Sequence, residues 1–212
     1  MVDPILNVVE SVGARPNRLF RQKKISIPNA TLRVFYGALC PNLADTALKA
    51  LETEISWQQG TVNLFGRTIP SPRLSAWYGN RSYTYSQKTW APAPWTNQLL
   101  KIKTHVEALS KAKFNGVLLN LYRTGQDSMG WHSDDEIELG KLPKIASLSL
   151  GAERKFLLRP RDKSAKSYSI PLPHNSLLIM AGETQENWQH SIPKTTKAVG
   201  HRINLTFRWI KN

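Results

Sequence analysis

Cysteine is almost absent from this 212-residue chain: Cys40 stands alone, which excludes an internal disulfide and a cysteine-based zinc site. Long apolar runs are missing as well, and none approaches the ~18 residues that a membrane-spanning helix needs. The opening Met-Val-Asp-Pro lacks the charged-then-apolar pattern of a secretory signal. The expectation is therefore a reducing compartment, cytoplasmic in a bacterium and nuclear in a eukaryote. No Gly-rich strand–turn–helix phosphate loop is found, which speaks against a nucleotide-binding α/β fold. There is no internal repeat and no low-complexity tract. Acidic residues are scarce, 15 Asp and Glu against 29 Lys and Arg, for a formal charge of +14.

What is present completes the exclusions. Hydrophobic residues make up 41% of the chain and there are seven Trp, too much apolar material for a disordered basic tail. The length suits one domain with a sizeable core. A folded domain this basic points to a polyanion as partner, namely DNA, RNA or an acidic membrane surface. Solubility alone is the plainer alternative.

Residues 1–30 are basic and mixed, with Arg15, Arg18, Arg21, Lys23 and Lys24 around Pro16 and Pro28, and read as a loosely held arm. The pattern predicts a short strand over 31–35. Leu43, Ala47, Leu48, Leu51 and Ile55 fall at helical spacing after Pro41, which predicts a helix over 42–55 with Asn42 as its N-cap. The same signature recurs over 95–109 through Leu99, Leu100, Ile102, Val106 and Leu109. After Phe114 short apolar runs dominate, over 117–122, 145–150, 155–159, 176–180 and 202–210, separated by Gly, Pro, Asn and Asp. The expected architecture is α+β but mainly β: N-terminal helices over 31–115 packed on an antiparallel jelly roll over 116–212, all one domain.

Chemistry concentrates in two strings. In Gly130-Trp131-His132-Ser133-Asp134-Asp135-Glu136, strand alternation puts His132 and Asp134 on one face, two thirds of a facial metal triad. A surface hydrogen-bonded pair is the alternative. Candidates for the third ligand are His174, in a turn, His201, pointing opposite to Arg202, and His190, after an apolar strand; the reading favours His190. Two His and one carboxylate leave positions open on an octahedral iron, as oxygen activation requires. The second string is Arg202-Ile203-Asn204-Leu205-Thr206-Phe207-Arg208-Trp209. Alternation sets Arg202, Asn204, Thr206 and Arg208 on one face and Ile203, Leu205, Phe207 and Trp209 on the other. Two arginine forks suit a dicarboxylate, and a solvated outer face is the alternative. Asn120 and Tyr122 share a face of the strand over 117–122 in the same way.

Asn120-x-Tyr122, His132-x-Asp134, His190 and Arg202-x-Asn204-x-Thr206-x-Arg208, in that order, resemble the AlkB family of iron(II)- and 2-oxoglutarate-dependent dioxygenases. The similarity runs from about Pro72 to Ile210. It implies a double-stranded β-helix with iron held by His132, Asp134 and His190. It also implies 2-oxoglutarate met by Asn120, Tyr122, Arg202, Asn204, Thr206 and Arg208, and O2 as the oxidant. The implied activity is repair: oxidative demethylation of 1-methyladenine- or 3-methylcytosine-type bases, releasing formaldehyde, succinate and CO2. Alternatives are an oxygenase of the same type acting on RNA or protein, and a catalytically inactive nucleic-acid-binding module.

The implied partner is alkylated DNA, in duplex form, met by a monomer. The extruded base would be contacted by Tyr83 and Tyr85, with Tyr78 nearby. Asp135 and Glu136 would favour a cationic methylated base. Asn63-Leu64-Phe65-Gly66-Arg67 resembles the finger with which duplex-acting members wedge into the base stack, Phe65 and Gly66 at its tip. Pro72-Arg73 matches that branch too, whereas Leu74-Ser75-Ala76 departs from it.

Overall fold

The computed structural model describes residues 10–15, 18–64, 66–85 and 88–211. Strands β1 (Glu10–Arg15), β2 (Arg18–Ile25) and β3 (Thr31–Tyr36) lead into helix α1 (Pro41–Glu54). A hairpin of β4 (Gln58–Leu64) and the long β5 (Arg67–Gly79) follows, then the short pair β6 (Tyr83–Tyr85) and β7 (Lys88–Trp90). After helix α2 (Asn97–Ser110) come β8 (Gly116–Tyr122), β9 (Met129–His132), a 3-10 turn (Ile137–Leu139), β10 (Ile145–Gly151) and β11 (Arg154–Pro160). The chain closes with β12 (Tyr168–Leu172), β13 (Ser176–Ala181), the one-turn α3 (Thr184–Asn187), β14 (Trp188–Ile192) and β15 (Arg202–Arg208).

Apart from the β6–β7 pair, these strands form two antiparallel layers. The larger runs β1-β2-β3-β13-β10-β15-β8-β5-β4 and the smaller β12-β11-β14-β9, a jelly-roll sandwich in which sequence neighbours are mostly not sheet neighbours. The larger sheet draws five of its nine strands from the part of the chain before α2.

Alternation along β15 explains the layering. Ile203, Leu205 and Phe207 are fully buried against Ala44, Ala47 and Leu51 of α1 and Leu99, Ile102 and Val106 of α2. Between the two sheets, Leu118, Leu178 and Met180 of the larger meet Phe156, Leu158, Ile170 and Leu172 of the smaller. The opposite face of β15 therefore also points inward, and Arg202, Asn204, Thr206 and Arg208 are buried rather than solvated. α2 starts at Thr96, whose Oγ1 accepts the Leu99 amide at 3.2 Å, satisfying one of the orphan donors of a first turn.

Three expectations need correction. Residues 18–25 are no loose arm: β2 pairs with β3 in register, Ile25 opposite Leu32, and Ile25 and Ile27 are buried in the inter-sheet core. Pairing with the β3 edge, together with the burial of Ile25 and Ile27, outweighs the local basic charge there. Residues 1–9, 16 and 17 lie outside the described residues. Asn42 does not cap α1, because Pro41 itself takes the first turn and Cys40 is the N-cap, without a side-chain cap bond. Trp209 is not on the buried face, since β15 ends at Arg208 and the indole is half exposed. No helix among the described residues is long and apolar enough to cross a membrane.

Candidate metal centre and dicarboxylate clamp

Pairing of β9 with β14 puts His132 directly opposite His190, their ring centroids 4.1 Å apart. Strand alternation predicts Asp134 on the same strand as His132, but β9 ends at His132 and Asp134 lies just beyond it. Its position comes instead from the buried Gln185 of α3, whose Oε1 accepts the Asp134 amide at 2.8 Å, and from Ser133, which donates to the Trp188 carbonyl at 3.0 Å. The ligand atoms of His132, Asp134 and His190 all lie within 4.8 Å of one another. His132 Nδ1 faces the Gly130 carbonyl at 2.9 Å; as donor there, it leaves Nε2 as the ligand nitrogen.

Electrostatics favour the metal-ready protonation state. Burial lowers the pKa of both histidines, and for His190, with His132 and Arg208 adding to the effect, it falls to about 3. Burial alone would raise Asp134, but Arg208, His190 and His132 override it and bring the carboxyl to about 2. Arg208 Nη2 donates to Asp134 Oδ1 at 2.6 Å, which holds one carboxylate oxygen. The other, Oδ2, is buried without a hydrogen-bond partner, 4.0 Å from His190 Nε2. Two neutral imidazoles and one carboxylate oxygen aimed at a common point are the donor set of a two-His-one-carboxylate iron site.

A small cavity of about 40 Å³ opens from the triad, lined by Asn120, Tyr122, Arg202, Asn204, Thr206 and Arg208 among others. Arg202 sits at its far side, fully buried, one amine donating to Ser149 Oγ at 2.9 Å and its guanidinium 5.1 Å from the Tyr122 ring. Its Nε and Nη1 are buried without a hydrogen-bond partner, an arrangement that fits a bidentate carboxylate. Asn204 and Thr206 are tied to each other at 3.1 Å, and Asn204 donates to Ser147 Oγ at 2.8 Å, so they shape the pocket wall. The residues present therefore fit both an iron ion and a small dicarboxylate. Ser147, Ser149 and Gln185 escaped the sequence reading. The alternation of Ser147 and Ser149 within an apolar strand was the available signal for the first two; Gln185 carries none.

The residues expected to meet a base fare unevenly. Asp135 is exposed and pairs with Arg161 at 2.8 Å. Glu136 is partly buried, and burial followed by the Asp134 charge raises its pKa; it faces the Tyr83 hydroxyl. Tyr83 itself is a correction: it is fully buried, stacked on Trp77 at 4.8 Å, with the Arg208 guanidinium 5.3 Å from its ring, so it walls the Asp134–Arg208 pair and leaves no face for a base. Tyr78 is likewise buried, its hydroxyl accepting the Ser56 amide at 3.3 Å. Arg73 is buried too, its Nε donating to Asn120 Oδ1 at 2.9 Å and Nη1 to the Ser128 carbonyl at 3.3 Å. Gly66, between β4 and β5, takes φ 75°, a left-handed conformation that glycine adopts without strain. Phe65 lies outside the described residues, as does the Tyr85 side chain. The other candidate ligands are engaged away from the triad, His174 with the Gly151 amide and Asp45, His201 with Glu52.

Residues 31–208 match the family model described as the 2OG-Fe(II) oxygenase superfamily. The chain is similar to the alpha-ketoglutarate-dependent dioxygenase alkB homolog 3 of Bos taurus, at 45% identity over 186 residues, covering 81% of this chain and 65% of that protein. It is 44% identical to the Homo sapiens alkB homolog 3 over 176 residues, 79% of this chain and 62% of the relative. The chain thus spans somewhat less than two thirds of the length of these relatives. The Homo sapiens DNA oxidative demethylase ALKBH2 is 41% identical over 179 residues, 79% of this chain and 69% of that protein. The solved structure of OsALKBH1 shares the fold, with a TM-score of 0.63 at 16% identity, over 87% of this chain and 99% of that one. Triad, clamp and these likenesses agree, and the chain belongs to the AlkB family within the 2OG-Fe(II) oxygenase superfamily.

Proposed function

We propose that this protein is an iron(II)- and 2-oxoglutarate-dependent oxygenase that demethylates N-alkylated bases in DNA. The observation that carries the reading is the pair of unsatisfied buried groups across one cavity, Asp134 Oδ2 in the triad and Arg202 Nε and Nη1 opposite it. His132, Asp134 and His190 hold the iron; Arg202, with Asn120, Tyr122, Asn204, Thr206 and Arg208 around it, receives the dicarboxylate. When bound, iron, 2-oxoglutarate and O2 supply the oxidation of an N-methyl carbon, with succinate, CO2 and, from the unstable product, formaldehyde released.

The protein's own contribution is placement. Arg208 fixes the Asp134 carboxylate so that only Oδ2 turns to the metal. Gln185 and Ser133 hold the backbone of the Asp134 segment in place. Phe156 stacks on His190 at 5.1 Å and closes the pocket on that side. Glu136, partly buried and near enough to feel the Asp134 charge, is the carboxylate assigned to favour a cationic methylated base over its neutral parent. The formal charge of +14 suits a phosphate backbone. The relative named as a DNA oxidative demethylase supports the substrate class, and the one named as an alpha-ketoglutarate-dependent dioxygenase supports the cosubstrate.

The test is loss of methyl mass from oligonucleotides carrying 1-methyladenine or 3-methylcytosine, single- and double-stranded, with iron(II), 2-oxoglutarate and ascorbate. Demethylation that needs 2-oxoglutarate and disappears in Asp134→Ala is expected. Turnover of 2-oxoglutarate without any change in the oligonucleotides moves the substrate to RNA or protein. Phe65→Ala should lower activity on duplex more than on single strands if the hairpin tip wedges the stack.

A further inference from the structure

We propose that an open groove beside Trp209 binds the nucleic-acid strand next to the nucleotide in the metal pocket, its cations meeting phosphates and the indole stacking a neighbouring base. The inference rests on the nucleic-acid reading above and names a surface that reading does not use.

The groove, open to solvent and about 630 Å³ in volume, runs between the turn after β5, the C-terminal half of α2 with the segment following it, and the chain's last residues. Four cations line it, Arg81, Lys103, Lys113 and Lys211, against one carboxylate, Glu107. That carboxylate is consumed within the wall. Its oxygens take Lys103 at 2.9 Å, Lys113 at 3.1 Å and the Phe114 amide at 2.9 Å, so Glu107 fixes two ammonium groups at the rim. The net effect is a cationic trough, the electrostatic complement of a phosphodiester strand.

Trp209 adds what a purely ionic surface lacks. Strand alternation would bury it with Ile203, Leu205 and Phe207, yet Ile210 takes the buried place and the indole stands half exposed. The backbone behind it is pinned. Asn115 uses both ends of its amide on Ile210, at 2.8 and 2.7 Å, and the Lys211 amide donates to the Glu138 carbonyl at 2.7 Å. A fixed, exposed aromatic set among cations is the arrangement on which bases of a single strand stack. An acidic protein surface would use the cations and leave the indole without a role.

Position ties the groove to the pocket. Trp209 directly follows Arg208, which holds Asp134, and Arg81 precedes by two residues Tyr83, which lies against Arg208. Trp209 and Arg81 thus join the groove, through Arg208 and Tyr83, to the Asp134 side of the metal pocket.

The experiment measures binding of an unmodified single-stranded DNA 15-mer by fluorescence anisotropy across a salt series. Trp209→Ala should weaken binding about ten-fold at fixed salt, and Trp209→Phe should restore most of it. The double variant Arg81→Ser/Lys113→Ser should flatten the slope of log K against log salt by about 1 to 2. Both sites are at the surface, and circular dichroism checks that each variant is folded. Affinities within two-fold of the wild type with an unchanged salt slope, in both variants, overturn the proposal. Binding of the unmodified strand needs no turnover, so the two readings separate. Variants that lose binding while the wild type demethylates nothing leave the groove standing and remove the repair function. Demethylation by the wild type with unaltered binding in the variants removes the groove alone.

Discussion

Asp134 is buried with a guanidinium on one carboxylate oxygen, while the other has no hydrogen-bond partner and is left for the metal. Removing it strands Arg208 as an unpaired buried cation. Asp134→Ala should therefore lower stability by about 3 kcal/mol as well as abolish metal binding, which urea unfolding of the metal-free protein would show. The titration behaviour of the triad gives a second prediction. Burial, His132 and Arg208 hold His190 at about 3 in the folded protein, against 6.5 for an ordinary histidine. Between those values the unfolded chain binds a proton that the native state refuses, so stability falls as pH drops from about 6.5 towards 3. Asp134, brought to about 2 by Arg208 and the histidines in spite of its burial, adds a further loss below 3.8. The urea midpoint of the metal-free protein should thus be lower at pH 5.5 than at 7.5, and His190→Leu should shrink the difference. An unchanged midpoint would contradict a neutral, buried His190.

At the scale of elements, the site depends on strands packing closely enough to bring distant side chains together. Gly116 opens β8 opposite Gly79 of β5, and a Cβ placed there would run into the Trp77 indole. Trp77 in turn backs Tyr83, and Tyr83 backs Arg208. Gly116→Ala should cost about 1–3 kcal/mol in chemical unfolding, as overpacking commonly does, and should loosen the triad through this stack. Wild-type stability in that variant would mean that the indole has room to shift. The same scale shows what a linear reading catches. Residues 202–208 have unbroken alternation, so both faces of β15 were legible. Asp134 was legible as a ligand but not as a loop residue, because the hydrogen bond that places it comes from Gln185, 51 positions away.

For the whole molecule, ligands that bind only the native state must raise its melting temperature by mass action. Manganese(II), a redox-quiet stand-in for iron, should raise it, and 2-oxoglutarate should add a second increment. Arg202→Ala should erase the second increment and keep the first; loss of both, or of neither, would remove the carboxylate role assigned to Arg202. The sequence alone determined the chemistry: one cysteine, an excess of cations, His132-x-Asp134 with His190, and the four inward polar residues from Arg202 to Arg208. Those features are local, since side-chain alternation and donor identity do not depend on what lies across the sheet. Tertiary structure decided the rest. Residues 18–25 join the larger sheet because β3 offers an edge to pair with, which no feature of the basic segment announces. Tyr83 and Arg73 are interior supports instead of exposed base contacts because the strands around them close over both. Trp209 is left in the open because Asn115, 95 positions earlier than Ile210, takes hold of the backbone beyond it. In each case the deciding partner is remote in sequence, and burial is a property of the packed layers, not of the residue.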